Sequence, residues 1–388
     1  MKNIFNNTKT AFSLKSDSQL ERAYFLFGMI KREPLVKIGT ALTKFALGAK
    51  LPVERLIRAT VFDHFCGGVT EEDCMPNINK MYTKNVHSIL DYSAEGKEVE
   101  EQFDLAMSKT LNTIRYANES KAIPFAVFKP TGFGKLGLYQ KVSEGTTLDA
   151  HEEIEWKRIA ERYDTVSRAA MEANVPLLID AEETWMQDAA DQLIENMMEK
   201  YNTEKVIVFG TLQLYRWDRM DYLKKLYQRA QEKGYKVGMK LVRGAYMEKE
   251  RERAEEYGYK DPICANKEET DANYDTVLAY MFDNLENMAI FSGTHNEESS
   301  MLMMDLIKKH KLDVNDPRLW FGQLYGMSDH ISYNLSEREF NVAKYLPFGP
   351  VRDVMPYLIR RAEENTSVAG QTTRELDLIS TERKRRKM

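Results

Sequence analysis

The residues of this 388-residue chain best suited to chemistry gather near its C-terminus. In VAKYLPFGPVRDVMPYLIRRAEEN, Val342 to Asn365, a short strand carrying Tyr345 runs through Phe348-Gly349-Pro350 into a helix. The pattern predicts a helix starting beyond Asp353, a good N-cap residue, with Pro356 in a first turn whose N–H groups lack intrahelical partners. At about 100° per residue, Tyr357, Arg360, Arg361 and Glu364 share one stripe, opposite Met355, Leu358, Ile359 and Ala362. Such a stripe is ordinarily a solvated face. Two adjacent guanidinium groups beside tyrosines also suit a small carboxylate, which an arginine fork grips through two parallel hydrogen bonds.

Other polar residues recur at a regular structural position. Eight short apolar or β-branched runs alternate with long, charged, helix-like segments: 86–93, 125–132, 176–182, 206–215, 236–246, 289–296, 319–326 and 342–349. Strand–helix alternation implies parallel strands joined by helical crossovers. Eight runs over some 260 residues match a (β/α)8 barrel in number and length. An open doubly wound sheet is disfavoured, because no Gly-x-Gly-x-x-Gly follows the first strand and no loop is a P-loop. The C-terminal ends of the runs, where a barrel keeps its chemistry, offer Asp91, Lys129, Asp180, Gln213 with Tyr215, Arg243 with Tyr246, Thr294-His295-Asn296, Gln323 and Tyr345. One or two such residues would be loop starts or helix caps; eight in register point to a site.

Lys129 is open to three readings: a Schiff-base lysine, an ion-pair partner for Asp180, or a donor to an anionic ligand. His295 has the chemistry of a general base, but no serine or cysteine stands near it in a nucleophile elbow. The histidines at 64, 87, 151, 295, 310 and 330 show no ligand spacing, so no metal is expected. A mouth lined by neutral hydrogen bonders, aromatics and cations suits a large planar or anionic cofactor.

Composition sets the outer bounds. Hydrophobic residues at 43% and charged residues at 30% are those of an ordinary globular protein. A net charge of -5 gives no electrostatic case for nucleic acid. Cys66, Cys74 and Cys264 fit neither a zinc site nor a redox pair, and read as reduced structural thiols. No apolar run is long enough to span a membrane. Residues 1–16 read as a disordered start, 18–80 as helices packed on the barrel, and the basic run Arg383 to Lys387 as a frayed, solvated terminus. The resulting division is 1–80, a helical segment; 81–371, the barrel; and 372–388, a basic tail.

Four blocks carry a family resemblance: KLVRGAYMEKERERA (240–254), GTHN (293–296), FGQLYGMSD (321–329) and YLPFGPVRDVMPYLIRRAEEN (345–365). They resemble the signature blocks of the proline dehydrogenase (proline oxidase) family, in its monofunctional, eukaryotic-like branch. FAVFKPTG, LLIDAEE and GTLQLY fit that family's earlier barrel strands in order and spacing. The resemblance implies an FAD-dependent barrel that oxidises L-proline to Δ1-pyrroline-5-carboxylate by hydride transfer to flavin N5, with a membrane quinone as final acceptor. By motif position, Arg360 and Arg361 clamp the proline carboxylate, Tyr345 and Tyr357 wall the ring, and Leu324 lies beneath it. Glu364 holds the helix or reaches the flavin ribityl chain. Lys129 lies near the flavin pyrimidine and the carboxylate, with Asp180 as an acid that pairs nearby. Gln213, Tyr215, Val242, Arg243, Gly244, Ala245, Tyr246, Thr294, His295, Asn296 and Gln323 contact the cofactor. Lys240 departs from many bacterial members, which place there an arginine donating to flavin N5. The implied location is cytoplasmic, with peripheral contact at the inner membrane (mitochondrial in a eukaryote). The rivals are 4-hydroxyproline dehydrogenation, disfavoured by the bulk of Tyr345, a Schiff-base aldolase using Lys129, and a non-catalytic proline-binding barrel.

Overall fold

The computed structural model describes residues 4–31, 34, 39–41, 54–93, 98–367 and 371–388, without the side chains of 55, 56, 59, 362–367 and 371. Eight parallel strands close a barrel in chain order. They are β1 Val86–Tyr92, β2 Phe125–Phe128, β3 Leu177–Ile179, β4 Val208–Gln213, β5 Val237–Val242, β6 Met288–Gly293, β7 Leu319–Leu324 and β8 Val342–Phe348. Each overlaps one of the eight predicted runs. Helices fill the intervals, from Glu100–Glu119 to Asp329–Ser336, and Val351–Ser367 follows β8. Local chemistry sets their ends: Asp149 and Glu152 form a capping box at the start of Ala150–Ala173, and Gly234 ends Arg219–Lys233 in the left-handed region.

The chain divides into two compact units, Lys97–Gly322 on one hand and Met1–Gly96 with Gln323–Met388 on the other. In the first, β2, β3 and β4 are buried along their whole length, as strands covered on both faces must be. Phe125, the first residue of β2, meets the edges of Phe209, Phe291 and Trp320 at centroid distances of 5.1–5.9 Å.

In the second unit β1 pairs with β8, Ile89 opposite Tyr345. The helix after β8 begins at Val351, not beyond Asp353: the Asp353 and Val354 N–H groups already donate to the Pro350 carbonyl. Its Val351, Val354, Met355, Tyr357 and Leu358 join Leu26, Ile57, Phe62, Phe65 and Met327 in one apolar cluster. Within the predicted helical segment 18–80, most of the stretch 32–53 lies outside the described residues.

Both chain ends correct the sequence-based expectation. The start is not disordered: Phe5, Ala11 and Phe12 are buried in short helical turns. The basic run is not a frayed terminus but the end of the helix Gln371–Arg386. Leu378 and Ile379 of that helix pack with Phe12, Leu20, Ala23 and Phe27, a burial that contributes about 1.5–3 kcal/mol per side chain. The guanidinium groups are tied down as well. Arg386 donates to the Phe12 and Lys15 carbonyls and pairs with Asp17, while Arg383 pairs with Glu21 at 2.8 Å. Cys66, Cys74 and Cys264 are buried free thiols, and burial pushes the Cys74 thiol up to about 12.

Candidate active site

In the unit Lys97–Gly322 the polar strand ends form a connected set. Lys129 follows β2, half-buried, and opens the turn Pro130–Gly132. Asp180 follows β3; its N–H donates to the Phe128 carbonyl, and its carboxylate accepts the Lys240 ammonium at 2.5 Å. The side chains of that pair are only 7% and 17% exposed. The pairing predicted for the acid therefore goes to β5, the strand of Lys240. An ion pair so far from water survives only because each charge compensates the other's lost hydration.

Lys240 lies opposite Thr211 of β4, and two residues further along the same face Val242 lies opposite Gln213. Gln213 is buried, and its amide oxygen has no hydrogen-bond partner among the described residues. An orphaned buried acceptor costs about 1–3 kcal/mol, which a ligand donor would recover. Gly244 is required by the backbone: its φ is +129°, and a Cβ there would stand 2.5 Å from the Tyr215 ring. Tyr215 is buried beneath it, whereas Gly244 and Ala245 are exposed and Val242 and Tyr246 half-buried.

Arg243 is an organiser. Its guanidinium donates to Asp271, to the Thr294 hydroxyl at 2.8 Å and to the Ser299 hydroxyl at 3.0 Å, and it lies over the Tyr274 ring. Thr294 in turn accepts from the Asn296 N–H. Asn296 caps the helix Glu297–Lys309 by accepting from the Ser299 N–H, and half-buried His295 lies between them. Arg243 thus fixes the loop after β6 from β5.

One residue of this set escaped the sequence reading. Glu182, buried just past β3, accepts from both the N–H and the hydroxyl of Thr131 at 2.8 Å. Burial, reinforced by Glu183, pushes its carboxyl up to about 7 despite the Thr131 hydrogen bonds and the charge of Lys129. The signal was the acidic run Asp180 to Glu183, where only the first acid was singled out.

In the other unit, the buried Gln323 accepts from the Ser332 hydroxyl at 2.8 Å, which fixes its amide oxygen. Leu324 is half-buried. The Tyr325 N–H donates to the Tyr345 carbonyl at 2.8 Å and holds β8 in place. Tyr345 and Tyr357 are buried, Arg360 and Arg361 half-buried, and the Arg361 guanidinium lies 5.3 Å from the centre of the Tyr357 ring. The stripe is therefore not a solvated face. Glu364 is in the helix, but its side chain lies outside the described residues.

Residues 74–374 match the model of the family described as "Proline dehydrogenase". The chain is 36% identical over 322 residues to the "Carbapenem antibiotics biosynthesis protein CarD" of Pectobacterium carotovorum subsp. carotovorum, covering 83% of each chain. It is 30% identical to "Proline dehydrogenase 1, mitochondrial" of Dictyostelium discoideum, covering 98% of this chain and 74% of that one. Among solved structures, it superposes on proline utilization A from Bdellovibrio bacteriovorus with a TM-score of 0.71 at 21% identity, a likeness of fold that covers 95% of this chain. The chain spans 37% of that protein's length.

Proposed function

The chain belongs to the proline dehydrogenase family, and from that premise we propose that it oxidises L-proline to Δ1-pyrroline-5-carboxylate with FAD as cofactor. The single observation that supports the reading is the arginine-bearing helix after β8, whose Tyr357 and Arg361 lie against each other.

Arg360 and Arg361 bind the substrate carboxylate, the planar, two-oxygen target to which guanidinium geometry is suited. Tyr345 and Tyr357 wall the ring and exclude water, with Leu324 as its floor. Holding the carbon beside nitrogen in one orientation converts the transfer into an effectively unimolecular step. Oxidation removes one hydride from that carbon and the remaining proton from nitrogen, leaving a C=N bond. Binding proline as the neutral amine leaves a protonated C=N product that gives its proton to solvent on release, so no dedicated base is required. FAD, when bound, supplies the two-electron acceptor.

The residues present fit such a group. The orphaned Gln213 oxygen offers an acceptor to the N–H edge of a flat heterocycle. Gly244 and Ala245 present small residues where a backbone must approach it. Lys240, paired with Asp180, supplies an ammonium group on β5. Lys129, near Glu182, supplies positive charge toward the pyrimidine side, and Thr294, His295, Asn296 and Gln323 serve the remainder of the dinucleotide. A quinone as final acceptor and a place at the head of proline catabolism toward glutamate complete the proposal. Among the described residues no helix is long and apolar enough to cross a membrane.

Trapping the product with o-aminobenzaldehyde, in the presence of FAD and an artificial acceptor, tests the substrate. L-Proline should give the yellow adduct faster than trans-4-hydroxyproline, because the Tyr345 ring occupies the space a hydroxyl needs. Preference for the hydroxylated substrate would overturn this assignment.

A further inference from the structure

Lys344 of β8 is fully buried, and it lies on the strand face opposite its neighbour Tyr345, because successive side chains along a strand point to opposite faces. It therefore does not share the substrate wall assigned to Tyr345. Its ammonium serves instead the loop that follows β7. It donates to the Met327 carbonyl at 2.6 Å, reaches the Leu324 carbonyl at 3.5 Å and pairs with Asp329 at 2.7 Å.

Other groups grip the same loop. The Tyr325 N–H donates to the Tyr345 carbonyl, His64 Nε2 engages the Gly326 carbonyl at 3.0 Å, and the Ser328 N–H donates to the buried Glu375 carboxylate. The loop backbone needs such support. Gly326 has a φ of +81°, and Ser328, despite its Cβ, has +50°, a conformation that persists only where the surroundings over-determine it. A Cβ on Gly326 would stand 2.3 Å from the His64 carbonyl oxygen. The lysine and carboxylate charges around the loop match. Lys15 and Lys344 both pair with Asp329, Glu375 acts on both lysines, and the His330 ring lies 3.8 Å from Glu375. Burial alone would raise the Asp329 carboxyl; the two lysines instead hold it well below the usual carboxylate range.

Leu324 opens this loop and Tyr345 follows Lys344 in β8, so the floor and the wall assigned to the proline ring move with it. We propose that Lys344 is a positioning residue for proline oxidation. By holding the Leu324–Ser328 loop through its carbonyls, it fixes Leu324 against Tyr345 and so sets the discrimination against a ring that bears a hydroxyl. The inference rests on the proline reading above. An apolar side chain at 344 would fill the same space but leave the Met327 carbonyl without this donor.

The test is the ratio of kcat/KM for L-proline to kcat/KM for trans-4-hydroxyproline, measured on the full chain with FAD and an artificial acceptor. A variant that is merely less stable loses both rates together and keeps the ratio. The double variant Lys344→Met/Asp329→Asn removes one buried charge of each sign, leaves Lys15 and Glu375 to balance, and so keeps the fold. Lys344→Met alone, in which Lys15 still pairs with Asp329, repeats the measurement independently. In both, the preference for proline should shrink at least about fivefold, because a displaced floor no longer holds the ring against Tyr345. Asp329→Asn, which leaves the ammonium on the Met327 carbonyl, should keep the wild-type ratio. An unchanged ratio in the Lys344 variants overturns the proposal while leaving the proline reading intact. So does an equal loss in Asp329→Asn, which would assign the effect to the missing charge instead of the carbonyl clamp. A wild type that oxidises neither substrate overturns the proline reading, and this inference with it.

Discussion

Replacing Glu182 by glutamine should stabilise the protein, and increasingly so as pH rises. In the unfolded chain this carboxyl ionises near its ordinary value of 4.5; in the fold, burial first and Glu183 second raise it to about 7. Between those values the unfolded state gives up a proton that the folded state keeps, so raising the pH favours unfolding. The penalty is complete once pH exceeds the folded value. A gap of this size corresponds to about 1 kcal/mol at about pH 5 and about 3 kcal/mol at about pH 8. Glutamine removes the ionisation while preserving shape. Its amide oxygen accepts from the Thr131 N–H, and its NH2 donates to the Thr131 hydroxyl, which can turn to accept. Urea unfolding of wild type and Glu182→Gln at the two pH values is the assay. The variant should gain about 2 kcal/mol relative to wild type between them. Parallel behaviour at both values would refute the claim that Glu182 is held protonated by its surroundings.

Arg361→Met should raise the KM for proline on the order of 30- to 150-fold while FAD content stays unchanged, since about 2–3 kcal/mol of charged hydrogen bonding is lost; unaltered proline kinetics would return that side chain to solvent. Asp180→Asn leaves the Lys240 ammonium buried without its counter-charge and should cost about 3–5 kcal/mol in urea unfolding. The double variant Asp180→Leu/Lys240→Met should recover most of that loss, and a doubly destabilised protein would show the pair is not what matters there. Ile379→Ala should lower stability by about 2–5 kcal/mol if the terminal helix packs as described, against no measurable effect for a frayed tail.

The barrel was legible because its signal is periodic. Buried strands such as PLLI and VIVFG separated by long charged helices have no other economical arrangement, and all eight runs contain strand residues. The arginine helix was legible too, because Tyr357 and Arg361 are four residues apart and helical geometry alone brings them together. Contacts between distant positions were not. Nothing local links Asp180 to Lys240, sixty residues on, and the choice between Lys240 and Lys129 as its partner belongs to strand order. Glu182 was passed over because its elevated carboxyl depends on burial, which one sequence does not display. The terminal helix was misjudged for a physical reason as well. Arg383 to Lys387 looks solvated when counted as charge, yet Leu378, Ile379 and Glu382 recur at helical spacing and are buried, with the arginines reaching back to Asp17 and Glu21.

The most direct test of proline oxidation is optical. The purified full chain, loaded with FAD and freed of oxygen, is titrated with L-proline while the visible flavin absorption is recorded. Bleaching of the yellow colour at one proline per flavin, reversed by an added quinone, is the predicted result. A protein that takes up FAD but keeps its colour under excess L-proline would contradict the proposed reaction outright.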